Sequence, residues 1–480
     1  MWSLHNHTCY SNPSLGFPDC INKVEDLIKK AKDIGLEGIA ITDHEILSAH
    51  LQAEDLSEKY DIPVILGNEI YLQEDIYYDE VKNNVITNKE YPHFLLLAID
   101  KKGHEQLRQL SSIAWRDNSF TAEGLIRRPT KYSDIEKVIG QDKGHIIGST
   151  ACVGGELGIR LLALLEAEEQ NNIITVNEQK KSIDKFLKWC LNIFGKENFY
   201  IEIQPPNMNS TSLAQYKFNN KVITLSKFYD IPMIVTTDSH YLSKEDAAIH
   251  EAYLNSKEDD EREVGEFYAT AYLMEEKEIT QYFNQANYDI ELLQQCFRNT
   301  QKIGERLQKY TLKHKQIVPV VEPPVFTVKH LFSKYYDRYP VLKEFANSNE
   351  EQDRYLIYRF EEAIQEKEKQ RDIEIVLDRV ERELNVLKGV SENLGQRMSA
   401  YYLTMSKIIE IVWEKADSLV GVSRGSGGSF ITDYFLDITQ FDPLDYGDLT
   451  PFWRHLSIDR PELPKQYWAL KVNHARGCIA

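Results

Sequence analysis

The chain has 480 residues, 42% hydrophobic and 27% charged, with a formal net charge of −19. That length implies roughly two to four domains, and the balance of residue types excludes a disordered, collagen-like or disulfide-scaffold protein. The negative charge excludes bulk attraction to nucleic acid, so any polyanion must be held by local basic patches or by metal ions.

The first residues, Met1 to His7, lack the basic-then-apolar order of a secretory leader. His5 and His7 lie two apart, so on an extended segment both imidazoles point to one side and can share a metal. Asp19 stands just before a helical pattern and also reads as an N-cap. Ile21, Val24, Leu27, Ile28, Ala31 and Ile34 recur at helical spacing, with Gly35 as the stop. Apolar runs at 39–42, 63–67, 94–98, 146–148, 199–203 and 232–237 read as buried strands. Strand and helix in succession predict a parallel sheet or an α/β barrel.

Asp43 and His44, Glu69, and Asp238 with His240 directly follow such runs. In α/β barrels, chemistry collects at the C-terminal ends of the strands. His93 precedes its run, and that logic does not place it. Cys152 taken alone reads as a small core residue, and Asp43 reads equally well as a partner that orients a histidine.

Beyond residue 245 the pattern is helical and polar. The acidic stretch 257–263 reads as a solvated loop or helix end. Ile317–Val325 is extended and proline-rich, a boundary or strap. Residues 349–390 predict charged helices with one narrow buried stripe, including Leu356, Ile357, Phe360 and Ala363. Tyr402, Met405, Ile408, Ile409 and Val412 mark a stronger amphipathic helix. It leads to Arg424, Gly425, Ser426, Gly428 and Ser429, where backbone N–H groups and a guanidinium can meet a phosphate. A flexible turn is the plain alternative, and no Gly-Lys-Ser/Thr follows to make a Walker A loop. No uncharged apolar run approaches the roughly 18 residues of a membrane span. The six cysteines are scattered without CxxC pairs, as expected of a reducing cytoplasm.

Taken together, His5, His7, Asp19, His44, Glu69, His93, Cys152, Asp238 and His240 are imidazoles, carboxylates and a thiol, the groups that hold transition metals. They are too many for one ion and suit two or three, an arrangement that cleaves phosphate esters. Manganese, zinc, iron and magnesium are all compatible with so mixed a set.

These residues resemble a known family. His5-x-His7, Thr42-Asp43-His44, Gly67-x-Glu69, His93 with Leu95 to Ala98, Ala151-Cys152 with Gly154 to Leu157, and Asp238-x-His240 look like the polymerase-and-histidinol-phosphatase (PHP) domain. More narrowly, they resemble its version at the N-terminus of bacterial replicative DNA polymerase III alpha subunits. Glu266-Phe-Tyr268 and Asn299 to Arg306 resemble the thumb region of that family. Val422 to Ser429, Asp437 to Thr439 and Asp442 to Leu444 resemble its palm.

The resemblance implies an α/β fold with a distorted parallel (β/α) barrel, then a mostly helical thumb and incomplete palm elements. The expected partition is 1–245 phosphoesterase, 246–345 thumb-like and connecting, 346–464 partial palm, and 465–480 an unmatched tail. It also implies that the set above binds metal, with His5, His7, Asp43, His44, Asp238 and His240 catalytic. Arg424, Gly425, Ser426, Gly428 and Ser429 are then nucleotide-binding. The implied activity is 3′–5′ proofreading of a DNA 3′ end in the cytoplasm, among replisome subunits and away from membranes.

One departure stands out. The family carries an aspartate pair after a proline in the palm, whereas here Pro464 is followed by Lys465-Gln-Tyr-Trp468. Polymerisation by this chain alone is therefore not expected, and a separate chain would have to supply the rest. The rival readings are a free-standing phosphatase on small phosphate esters and a catalytically silent scaffold for a polymerase.

Overall fold

The computed structural model describes residues 1–74, 77–79, 84–86, 91–122, 125–256, 268–314, 317–416 and 418–459. The acidic stretch at 257–263, Glu266 and Phe267, and everything from Arg460 onward, including the expected aspartate positions, lie outside the described residues. The chain folds as two compact units, Met1–Lys313 and His314–Ala480.

The first unit is built on an eight-stranded sheet. Its strands are β1 (Trp2–Ser3), β2 (Gly38–Ile41), β3 (Val64–Gln73), β4 (His93–Ala98), β5 (Thr130–Lys131), β6 (Ile146–Ser149), β7 (Phe199–Ile203) and β8 (Met233–Val235). The order is β1-β2-β3-β4-β6-β7-β8, and β5 pairs with the far end of β3. Pairing is parallel within β1-β2-β3 and within β6-β7-β8, but β4 runs antiparallel to both its neighbours. The sheet is thus mixed, and the expected parallel barrel is distorted by one reversed strand.

Every expected apolar run forms a strand because both of its faces are covered. Ile39, Ile41, Phe94, Leu96 and Phe199 join the core shared with the surrounding helices. The alternate residues Ala40, Leu95, Leu97, Ile147, Tyr200 and Ile234 join a second, interior cluster. A parallel bridge between Asn6 and Ser239 links the segments that follow β1 and β8, and His7 N–H donates to Ser239 O at 3.0 Å. The two edges of the sheet therefore meet on the side where the strands β1 and β8 end.

Lower down, the edges are covered by the helix Ile290–Glu305. Thr300 Oγ1 accepts the Trp2 N–H at 3.1 Å, and Asn299 Nδ2 donates to Met233 O at 2.8 Å. Side chains of the expected thumb motif thus satisfy backbone groups that an open edge would leave exposed. This helix belongs to the first unit, although it follows the expected boundary at residue 245.

The second unit is helical, with Glu351–Lys367, Ile373–Leu394 and Met398–Glu414 around one apolar core. Gly427–Ser429 forms a short 3-10 turn leading into the helix Ile431–Phe435. Buried Glu383 accepts the N–H groups of Ile431 and Thr432 at 2.8 and 2.9 Å, and Arg379 pairs with it at 2.7 Å. Among the described residues no helix is long and apolar enough to cross a membrane.

Candidate metal centre

All nine expected ligand positions converge at the end of the barrel where the parallel strands finish. β2 delivers His44, β3 carries Glu69, and the segments after β1 and β8 carry His5, His7, Asp238 and His240. The reversed β4 explains His93. Because this strand runs the other way, its first residue sits at the mouth where its neighbours end, and Tyr71 of β3 pairs with His93.

Glu69 is the hub. It is completely buried, with Oε1 3.2 Å from His5 Nε2 and 3.1 Å from His93 Nδ1. Its Oε2 lies 3.3 Å from His7 Nε2 and 2.9 Å from His44 Nδ1. Asp238 Oδ1 stands 3.2 Å from His5 Nε2 and 3.1 Å from His7 Nε2. Asp19 Oδ2 stands 3.2 Å from His240 Nε2 and 3.5 Å from His44 Nε2. Cys152 Sγ approaches His93 Nδ1 at 3.5 Å. Three compact groupings result: His5, His7 and Asp238; His44, Glu69 and His93; and His7, His44 and His240.

The donor set fits metal ions on a simple test. Glu69 Oε1 and Oε2, Asp238 Oδ1, Asp19 Oδ2 and His44 Nδ1 are buried, yet none makes a hydrogen bond of acceptable geometry. Unsatisfied buried polar atoms are costly and scarce in folded proteins. Gathering five of them in one cavity makes sense if cations complete their coordination.

Neighbouring groups fix the histidines. His5 Nδ1 faces Glu202 Oε2 at 3.0 Å, which turns Nε2 toward the cluster. Glu202 is itself held by Ser149 and Thr236, whose hydroxyls each donate at 2.7 Å. His240 Nδ1 donates to Asp238 O at 2.8 Å, leaving Nε2 for Asp19. Tyr268 donates to Asp19 Oδ1 at 3.1 Å.

Asp43 is not among these groupings. Its oxygens accept hydrogen bonds from Thr8 N–H, Thr8 Oγ1 and Ser11 Oγ. Ser11 Oγ in turn meets His7 Nδ1 at 3.3 Å. Asp43 therefore positions His7 through Ser11 rather than joining the cluster.

Neither Glu202 nor Tyr268 stands out as a site residue in the sequence. Glu202 does carry a usable signal: it is a lone carboxylate inside the apolar strand Phe199–Ile203. Such oriented carboxylate–histidine pairs typically alter metal affinity by about 10- to 100-fold when removed. Glu202→Gln is expected to weaken metal binding within that range, and titration with a competing chelator measures it.

In the metal-free chain, burial alone would lower the histidine pKa values. For His5 the carboxylates of Asp238, Glu202 and Glu69 outweigh burial and raise it well above the usual value. His44 is pushed up to about 10, with Glu69 and Asp19 overcoming burial. His240 is raised in the same way, chiefly by Asp19. Conversely, burial would raise Glu69 and Asp19, but the facing histidines hold both well below the carboxylate range. Burial pushes the Cys152 thiol up, with help from Asp238 and Glu69.

Metal must displace these protons. The metal-free centre contributes charge-paired stability that is complete below about pH 6.5 and lost as pH rises through the raised histidine values. Metal affinity runs the opposite way and increases over that window. The melting temperature of the chelator-treated chain is expected to fall from about pH 6.5 to about pH 10, and the stabilisation on adding metal is expected to grow.

The candidate nucleotide segment lies in the second unit. Arg424 and Gly425 are exposed and Ser426 is half-buried, whereas Gly428 and Ser429 are buried. Ser429 Oγ donates to Ser426 O at 2.6 Å. The N–H groups opening the following helix are already taken by Glu383, which leaves Arg424 to Ser426 as the part of the segment open to an anion.

Comparison with known proteins agrees with this architecture. Residues 3–206 match the PHP domain family, and residues 354–465 match the family described as the bacterial DNA polymerase III alpha NTPase domain. The chain is 42% identical over 481 aligned residues to the probable DNA polymerase YorL of Bacillus subtilis, covering 97% of this chain and 36% of that protein. A DNA-directed DNA polymerase of Bacillus phage SPbeta matches to the same extent. The DNA polymerase III subunit alpha of Borreliella burgdorferi is 26% identical, covering 96% of this chain and 34% of that protein.

The chain thus spans about a third of the length of the curated relatives it matches. A putative metal-dependent phosphoesterase from Bifidobacterium adolescentis aligns at 12% identity over 60% of this chain and 97% of its own, with a TM-score of 0.27. The chain carries a PHP domain followed by a segment of the bacterial DNA polymerase III alpha type.

Proposed function

We propose that the buried centre is a metal-dependent phosphodiesterase acting on the 3′ end of DNA, in the manner of a 3′–5′ proofreading exonuclease. The observation that carries this reading is the sharing of Glu69, whose two unsatisfied oxygens serve His5 and His93 on one side and His7 and His44 on the other. Two or three divalent ions would be held by His5, His7, Asp19, His44, Glu69, His93, Cys152, Asp238 and His240. When bound, such ions activate water and stabilise charge on the attacking and leaving oxygens. The imidazole-rich set with one thiol favours a transition ion over magnesium, which prefers oxygen donors.

The chain's own groups supply the geometry. Glu202 and Asp43 with Ser11 hold His5 and His7 in one orientation, and the Asp238 carbonyl fixes the His240 tautomer. Burial of the carboxylates excludes bulk water from the ligand atoms.

Residues 1–245 are proposed as the phosphoesterase, 246–345 as thumb-like and connecting, and 346–464 as a partial palm in which Arg424, Gly425, Ser426, Gly428 and Ser429 meet nucleotide. Nucleotide addition is not proposed for this chain by itself, because Lys465 to Trp468 offers no carboxylate where the family carries its aspartate pair. A replisome setting in a bacterial cytoplasm follows from the same reading.

The test uses the purified chain with manganese, zinc or iron, on a 5′-labelled single strand and on a small phosphate monoester. Stepwise shortening from the 3′ end supports the proposal. Release of phosphate from the monoester alone would instead indicate a small-molecule phosphatase, and inertness toward both would indicate a scaffold.

A further inference from the structure

Beside the metal centre stands a group of arginines and aromatic rings that metal binding does not use. Tyr71, on β3, packs against His93 at 5.1 Å and His44 at 5.6 Å between ring centres. Tyr91 meets Tyr71 at 6.2 Å, and the Arg127 guanidinium lies over the Tyr91 ring at 4.5 Å. The Arg128 guanidinium lies over Trp115 at 3.9 Å. Trp115 Nε1 donates to the carbonyl of Glu45, the residue after His44. Both arginines act electrostatically on Glu45, so they stand close to the ligand-bearing loop.

The backbone fixes this pair of cations. Arg127 ends a strand, Leu125–Arg127, which pairs antiparallel with Phe120–Ala122. Pro129 O accepts from Asn118 Nδ2 at 2.9 Å, and Thr130 and Lys131 then pair with Leu72 and Gln73 at the end of β3. Arg127 Nε is buried and has no hydrogen-bond partner among the described residues.

A guanidinium laid flat on a ring is pre-organised. The N–H edge of such a guanidinium can grip a phosphate with two bonds, and its outer face can stack on a base. Such placement lowers the ordering cost of binding. It also answers the charge problem of this chain, since a polyanion must reach a carboxylate-rich centre in a protein of net charge −19.

We propose that Arg127 and Arg128, backed by Tyr91 and Trp115, form a subsite beside the metal centre that holds the two phosphates upstream of the scissile bond, and the base between them, in a single-stranded nucleic acid. The inference rests on the phosphodiesterase reading for its chemistry but predicts binding independently of cleavage.

The experiment compares the full chain with its Arg127→Gln/Arg128→Gln variant. A 5′-labelled twelve-nucleotide thymidine strand is titrated with chelator present, at several salt concentrations. Hydrolysis of bis(p-nitrophenyl) phosphate is measured with metal, and melting confirms folding. The variant is expected to bind about tenfold more weakly near 0.1 M salt, with its log–log salt slope smaller by roughly 1.4, about 0.7 for each single-strand phosphate that an arginine no longer neutralises. Hydrolysis of the small diester should stay within about twofold.

Unchanged affinity and slope would overturn the subsite, as would failure of the unsubstituted chain to bind the strand. Equal loss of small-diester hydrolysis would overturn it too, by showing that the arginines serve the centre itself. If the unsubstituted chain hydrolyses neither substrate while strand binding still depends on the arginines, the phosphodiesterase reading fails and the subsite stands.

Discussion

Glu69→Gln is expected to abolish hydrolysis and to remove at least one bound ion while leaving the chain folded. The carboxylate reaches four histidines, His5, His93, His7 and His44, within 2.9–3.3 Å. Its two oxygens thereby join both sides of the cluster. Glutamine keeps the volume, so the packing around a fully buried side chain survives. What is lost is the charge and one acceptor, and the new amide group points N–H bonds at imidazole nitrogens that must themselves face metal. A fall in kcat of about a thousandfold or more corresponds to roughly 4 kcal/mol of transition-state stabilisation. Activity within tenfold of the parent, with full metal content, would remove Glu69 from the centre.

Asp238→Asn is expected to cost about a hundred- to thousandfold, roughly 3–4 kcal/mol. Asp238 has a positive φ of 48°, a left-handed conformation that asparagine tolerates better than most side chains. Its carbonyl, which fixes His240 through Nδ1, is unaffected by the substitution. The exchange therefore removes only the negative charge shared by His5 and His7 at 3.2 and 3.1 Å. His7→Ala should match it in activity. Kinetics combined with melting curves separate this from unfolding: the fold is retained and the rate is not. A variant that both melts early and loses activity would show a structural role instead.

Much of the first unit is legible in the sequence because its strands are buried on both faces and so read as continuous apolar runs. His44 after β2, and Asp238 and His240 after β8, follow from barrel logic, whereas Glu69 falls inside β3, which runs on to Gln73. His93 does not follow from it, since nothing in Phe94 to Ala98 reveals strand direction. Only pairing does, with His93 opposite Tyr71 in an antiparallel ladder.

Asp43 neighbours His44 in sequence, and which histidine it serves is set by distant residues: its carboxylate accepts from Thr8 and Ser11, and Ser11 meets His7. Glu202 is hidden by the reverse effect, a charged residue masked by its apolar strand. Asn299 and Thr300 resemble a polymerase thumb in sequence, yet their side chains cover the edges of the barrel.

The glycine–serine segment is legible as a turn before a helix. No local pattern reveals that Glu383, 48 residues from Ile431, already occupies the helix N–H groups that a phosphate would have used. Pairings between residues so distant along the chain are set by packing and leave nothing nearby to read.

We propose this cavity as a multinuclear metal site. Elemental analysis of the purified chain, dialysed at a pH near 8 where the raised histidines give up their protons to metal, tests it most directly. Two or three transition ions per chain are expected, falling on Glu69→Gln. A chain that binds none, even after incubation with manganese, zinc and iron, would contradict it.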